Sequence, residues 1–119
     1  MNININGVSW NIIYTSDYNN LKRSDGIITL GVTDVRLKTI YVYSNLNSYM
    51  RRKVLIHELT HAFIFSYDYY LPLDQEEFVC SFVENYGIDI IKAYDYICNQ
   101  NISTISLESS YWHLFVHML

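Results

Sequence analysis

Proline is nearly absent from this chain: Pro72 is the only one in 119 residues, and no Gly/Ser-rich or low-complexity stretch accompanies it. Nothing punctuates the sequence into parts, so a single domain over residues 1–119 is expected. Cysteine is scarce too. The two present, Cys80 and Cys98, lie in apolar, helix-patterned sequence. That excludes a disulfide framework and reads as reduced thiols of a cytoplasmic protein. Basic residues are few, eight Lys and Arg against twelve Asp and Glu, for a formal charge of -4 and a pI near 5.4. A dedicated nucleic-acid binder, whose affinity comes largely from neutralised phosphates, is not expected on that balance. Long hydrophobic runs are missing as well. Residues 54–65 are interrupted by His57, Glu58, Thr60 and His61, far short of the roughly 20 apolar residues of a membrane span. The first residues lack the basic segment and apolar stretch of a secretory signal.

Aromatic residues, by contrast, are plentiful: twelve Tyr, five Phe and two Trp in a chain that is half hydrophobic. Such a composition rules out intrinsic disorder and supplies bulky contents for one core. The first 45 residues read as strands, at 8–14, 27–30 and 39–43, each bounded by Asn, Asp, Gly or Ser. Asp25-Gly26 predicts a tight turn opening a hairpin with 27–30, and 31–38 reads as a loop leading into the third strand. After Ser44 and Asn45 the apolar period changes. Leu46, Met50, Val54, His57, His61 and Phe65 share a stripe, which predicts a helix over 46–65. Pro72 makes 67–74 a connection. A second helix fits 75–97, weakened by Gly87, and its pattern breaks over 99–106. Residues 111–118 fit a short helix or a strand equally. The expected class is α+β: a small antiparallel or mixed sheet of about three strands packed on two long helices, with a short C-terminal segment.

Chemistry concentrates in His57-Glu58-Leu59-Thr60-His61. Residues four apart on a helix stand one turn apart, so both imidazoles can converge on one ion, for which neutral imidazole makes zinc the natural choice. Glu58, about a hundred degrees around the helix from His57, lies beside that ion. There it can take a proton from a water that the metal acidifies. With four His in 119 residues, the chance expectation for this motif is on the order of 0.005 occurrences. A third donor is needed, and Glu76 and Glu77 open the second helix. Glu77 is favoured because Ser81 follows four residues later, placed to hydrogen-bond a ligand histidine, while Glu76 stays open as the alternative.

Taken in order, Asp25-Gly26, Gly31-Val32-Thr33-Asp34, Thr39-Ile40-Tyr41-Val42, His57-Glu58-Leu59-Thr60-His61-Ala62-Phe63, Glu76-Glu77-Phe78-Val79-Cys80-Ser81-Phe82 and Tyr86-Gly87 resemble small phage and prophage zinc peptidases. These are minimal relatives of the gluzincins and of the ImmA/IrrE-like family. The resemblance covers about residues 5–95, with the zinc motif and the Glu-Glu segment its specific parts. It implies a zincin-like metallopeptidase core with His57, His61 and a Glu of the second helix as zinc ligands and Glu58 as base. It also implies a protein or peptide substrate, with a regulatory protein such as a repressor favoured over bulk digestion. Ser81 departs from the Asp expected at its position.

Other features carry less. His113 and His117 repeat the four-residue spacing without an adjacent acid, and the cysteines are too far apart for a zinc-finger knuckle. Arg51-Arg52-Lys53 reads as a solvated face. Tyr41, Tyr67 and His113 are candidates for lining the cleft, with Tyr111 and Trp112 beside His113 in a lid. The strand at 39–43 is expected to offer a free edge for an extended substrate. The rival to an enzyme is an inactive, zinc-stabilised interaction module of a phage or mobile element, and the acid beside the metal favours the enzyme.

Overall fold

A computed structural model describes residues 1–105, with side chains through Gln100; the expectations for residues 111–118, including His113 and His117, lie outside the described residues. The class is α+β, with four strands, two α-helices and a short 3-10 helix at Tyr18–Leu21 among the described residues. Strands β1 (Asn2–Ile5), β2 (Val8–Thr15), β3 (Gly31–Asp34) and β4 (Thr39–Tyr43) precede helices α1 (Ser48–Ser66) and α2 (Leu73–Ile105). By contact the chain divides into two compact units, Met1–Tyr86 and Gly87–Leu119. In the second unit the described structure is the continuation of α2. Among the described residues no helix is long and apolar enough to cross a membrane.

The sheet order is β1-β2-β4-β3, with β2 parallel to β4 and the outer pairs antiparallel. Three expectations are corrected here. Asn2–Ile5 is a strand, joined to β2 through Asn6 (φ 50°) and Gly7 (φ 83°), the left-handed pair that a two-residue hairpin turn demands. Residues 31–34 form β3 rather than a loop, whereas 27–30 make only the bridge Lys22↔Ile28 around the Asp25-Gly26 turn. And β4, expected to carry the free edge, is interior, paired on both sides; among the described residues β3 is the open edge on that side.

Alternation along the strands separates the two faces. Trp10, Ile12, Ile40 and Val42 share one face and close with Ile5 and Ala62 into the core cluster, against which Val54, Leu55 and Leu59 of α1 pack. Helix α1 begins where the Asn47 side chain accepts the N–H of Met50 at 2.8 Å. It ends with Asp68 in the left-handed region (φ 60°), where the N–H groups of Asp68 and Tyr69 reach back to Phe65 and Ile64. Its last turn is tied to the sheet: Trp10 Nε1–H donates to Ser66 Oγ at 2.8 Å, and Asn6 Nδ2 donates to the Ser66 carbonyl at 2.9 Å. Helix α2 starts directly after Pro72, passes Gly87, and continues beyond the expected end to Ile105.

Gly31 sets how closely β3 approaches α1. A Cβ there would stand 2.6 Å from Val54 Cγ1 and 2.9 Å from Glu58 Cγ, closer than packed atoms tolerate. Gly31→Ala is therefore expected to destabilise the fold by about 1–3 kcal/mol and to push Glu58 out of place. Urea unfolding measures the first effect. A stability equal to wild type would show that the strand yields freely.

Candidate metal centre

The site assembles from α1, the start of α2 and the edge strand, all within the first unit. One helical turn brings the rings of His57 and His61 to 5.2 Å between centroids, inclined at 64°. Their Nε2 atoms converge on one carboxylate. Glu77 Oε2 lies 3.1 Å from Nε2 of His57, and Glu77 Oε1 lies 2.9 Å from Nε2 of His61. The Nδ1 atoms meet two further acids: Glu84 Oε1 at 2.9 Å from His57 and Glu76 Oε2 at 2.6 Å from His61. Lys53 Nζ stands 3.7 Å from the other oxygen of Glu84 and donates to Asn85 Oδ1 at 3.0 Å.

Each imidazole thus has a carboxylate on both nitrogens, while a neutral imidazole owns a single N–H. With each Nδ1–H given to Glu84 or Glu76, both Nε2 lone pairs face carboxylate oxygens about 3 Å away. Lone pair against lone pair is repulsive. It becomes attractive when both rings are protonated or when one cation lies between the nitrogens and Glu77. A divalent ion suits this donor set, and carboxylates that hold the far ring nitrogens fix the tautomer that ligation needs.

Glu58 lies in the contact between α1 and β3. It is 7% exposed, and its Oε1 lies 2.9 Å from the Thr33 hydroxyl, which also reaches the Glu58 carbonyl at 3.0 Å. Burial pushes the Glu58 carboxyl above its ordinary range. The Thr33 hydrogen bond and the charges of His57 and His61 pull the other way, and Glu77 adds to the rise.

Cys80 completes the group. It is fully buried, and ligand atoms of His57, His61 and Cys80 all lie within 4.8 Å of one another, a cluster that could hold a metal ion. Burial first, then the charges of Glu77, Glu76 and Glu58, push its thiol up to about 12. Neither Cys80 nor Cys98 forms a disulfide.

Of the residues anticipated from sequence, His57, His61, Glu76 and Glu77 come into contact, and Glu58 lies on the β3 side of α1 within electrostatic reach of them. The two acids at the head of α2 divide their contacts, Glu77 reaching both Nε2 atoms and Glu76 the far nitrogen of His61. Ser81 does not hold a histidine: its side chain is exposed, and its carbonyl accepts from Asn85 Nδ2. Glu84 and Glu76 fill that place. Tyr41 is not at the site either, because its register opposite Val32 puts it on the sheet face away from α1. Tyr67 stacks on Phe63 at the end of α1, their ring centroids 6.0 Å apart. Thr33, Cys80 and Glu84 were missed as site residues. For Cys80 the signal was its spacing three residues after Glu77, one turn along the same helix.

Glu84→Gln tests the outer contact. Metal affinity is expected to fall about 10–100-fold, since an amide holds the far nitrogen of His57 less firmly than a carboxylate does. Competition against a zinc chelator measures it, and an unchanged affinity would mean that Glu84 serves only its pairing with Lys53. In comparisons with known proteins, no family model, no curated protein and no solved structure matches the chain.

Proposed function

We propose that the chain is a zinc-dependent metallopeptidase of the zincin type. The observation that carries the reading is the convergence of both Nε2 atoms on Glu77 while separate acids take both Nδ1 atoms, beside the buried Glu58. His57, His61 and Glu77 would hold the ion, which supplies, when bound, a Lewis acid that acidifies a water and polarises a carbonyl. The remaining work belongs to the chain. Glu58, with its proton affinity raised by burial, takes the proton of the attacking water and returns it to the leaving amine. Thr33 fixes Oε1 and leaves the other oxygen of Glu58 for that transfer.

The substrate would add to β3 rather than to β4. Tyr43 N–H donates to the Leu30 carbonyl at 2.9 Å. The alternation of an antiparallel ladder then turns the N–H and C=O of Thr33 toward the open edge, where an extended peptide can pair with them. Thr33 thereby joins substrate pairing to the positioning of Glu58. Main-chain pairing of this kind tolerates many sequences; the resemblance favours a regulatory protein in the cytoplasm as the target. Nucleic acid and membrane are not among the proposed partners.

One observation favours a second reading, a zinc-stabilised interaction module: Cys80 stands close enough to the histidines to close the site, and structural zinc sites are closed. The deciding experiment measures zinc per chain and screens a peptide library with the purified protein. About one zinc with cleavage supports the peptidase, one zinc without any cleavage supports the module, and no zinc removes both.

A further inference from the structure

Cys80 stands beside the same two histidines that Glu77 faces. Glu77 offers an oxygen at 3.1 Å from Nε2 of His57 and another at 2.9 Å from Nε2 of His61, and Cys80 brings a sulfur within 4.8 Å of ligand atoms on both rings. Cys80 follows Glu77 by three positions on α2, so both side chains leave the same side of that helix toward α1. The thiol is fully buried.

We propose that Cys80 is a direct donor to the metal, so that the resting site has four protein ligands, two nitrogens, one oxygen and one sulfur. The inference rests on the metal site proposed above and states how it is regulated. Two imidazoles, a carboxylate and a thiolate would supply the four nitrogen, oxygen and sulfur donors that zinc takes. The thiol proton leaves for solvent as the metal–sulfur bond forms, and it returns when that bond breaks. The resting protein is therefore latent, and hydrolysis requires Cys80 to let go. A soft sulfur donor also turns the site toward thiophilic ions such as cadmium and away from magnesium or calcium.

Cobalt(II) substitution tests this without any activity measurement. In the full chain and in Cys98→Ser, bound cobalt is expected to give an intense near-ultraviolet sulfur-to-cobalt charge-transfer band. In Cys80→Ser that band is lost while cobalt remains bound through the histidines. Circular dichroism checks that each variant folds, and the wild-type spectrum stands as a test even if Cys80→Ser does not. Bound cobalt with no sulfur band, or a band that survives in Cys80→Ser, overturns the proposal and leaves the peptidase reading intact. Failure of the wild-type chain to bind cobalt or zinc overturns both. Where cleavage is measurable, Cys80→Ser is expected to turn over faster than wild type, and a slower variant counts against latency.

Discussion

On the peptidase reading proposed above, Glu58→Gln is expected to lower peptide hydrolysis by about 10²–10⁴-fold, the range over which a positioned general base contributes, with zinc content unchanged. The substitution is nearly isosteric, and an amide oxygen can still accept from the Thr33 hydroxyl, which lies 2.9 Å from Oε1. What it removes is the capacity to carry a proton. The fold should not suffer, because burial disfavours the charged carboxylate that the amide replaces. Stability equal to or above wild type is therefore expected together with the loss of turnover. Full activity in this variant would move the base elsewhere and end the role assigned to Glu58. A variant that loses zinc would instead place Glu58 among the ligands, against its position facing β3.

The part of the site that one helix encodes was legible in the sequence. His57, Glu58 and His61 owe their relation to helical geometry, and the Asn47 cap and apolar stripe that make the helix are local signals. Glu76 and Glu77 were legible for a similar reason, since Pro72 ends one connection and sets where α2 begins. Which of them faces the Nε2 atoms depends on how α2 rotates against α1, a tertiary quantity. Glu84 and Thr33 lie 27 and 25 residues from their partners, and no spacing rule reaches that far.

The strands divide along similar lines. Thr39–Tyr43 is β-branched and aromatic and reads as a strand by itself. Gly31–Asp34 contains two poor strand formers, so its conformation follows from pairing with β4 and from the need for an atom-sized gap beside Glu58. The sequence therefore pointed to a free edge on the wrong strand. Asn6-Gly7 is a different case: it is a strong hairpin signal that follows the alternation Asn2-Ile3-Asn4-Ile5, and it marks β1 without any tertiary knowledge.

Glu77→Ala separates the two ways of satisfying the histidines. With zinc present, loss of this carboxylate is expected to lower affinity by more than the roughly 10–100-fold that removing an outer contact costs, so Glu77→Ala should fall below both Glu76→Gln and Glu84→Gln. Wild type with zinc at about a hundred times its dissociation constant gains about 2.7 kcal/mol. In a domain of this size that corresponds to a rise of about 10 °C in Tm. A chelator should remove the whole gain. In chelator the metal-linked gain is absent from both proteins, so Glu77→Ala is expected to melt close to the wild-type temperature, whereas with zinc it melts well below. Differential scanning calorimetry in the two buffers reads both differences. A variant that is less stable in chelator as well would mean that Glu77 works as an ion-pair partner of protonated rings, and the metal would lose its strongest support. If Glu76→Ala rather than Glu77→Ala abolished zinc binding, the two acids would exchange the roles that their distances assign them.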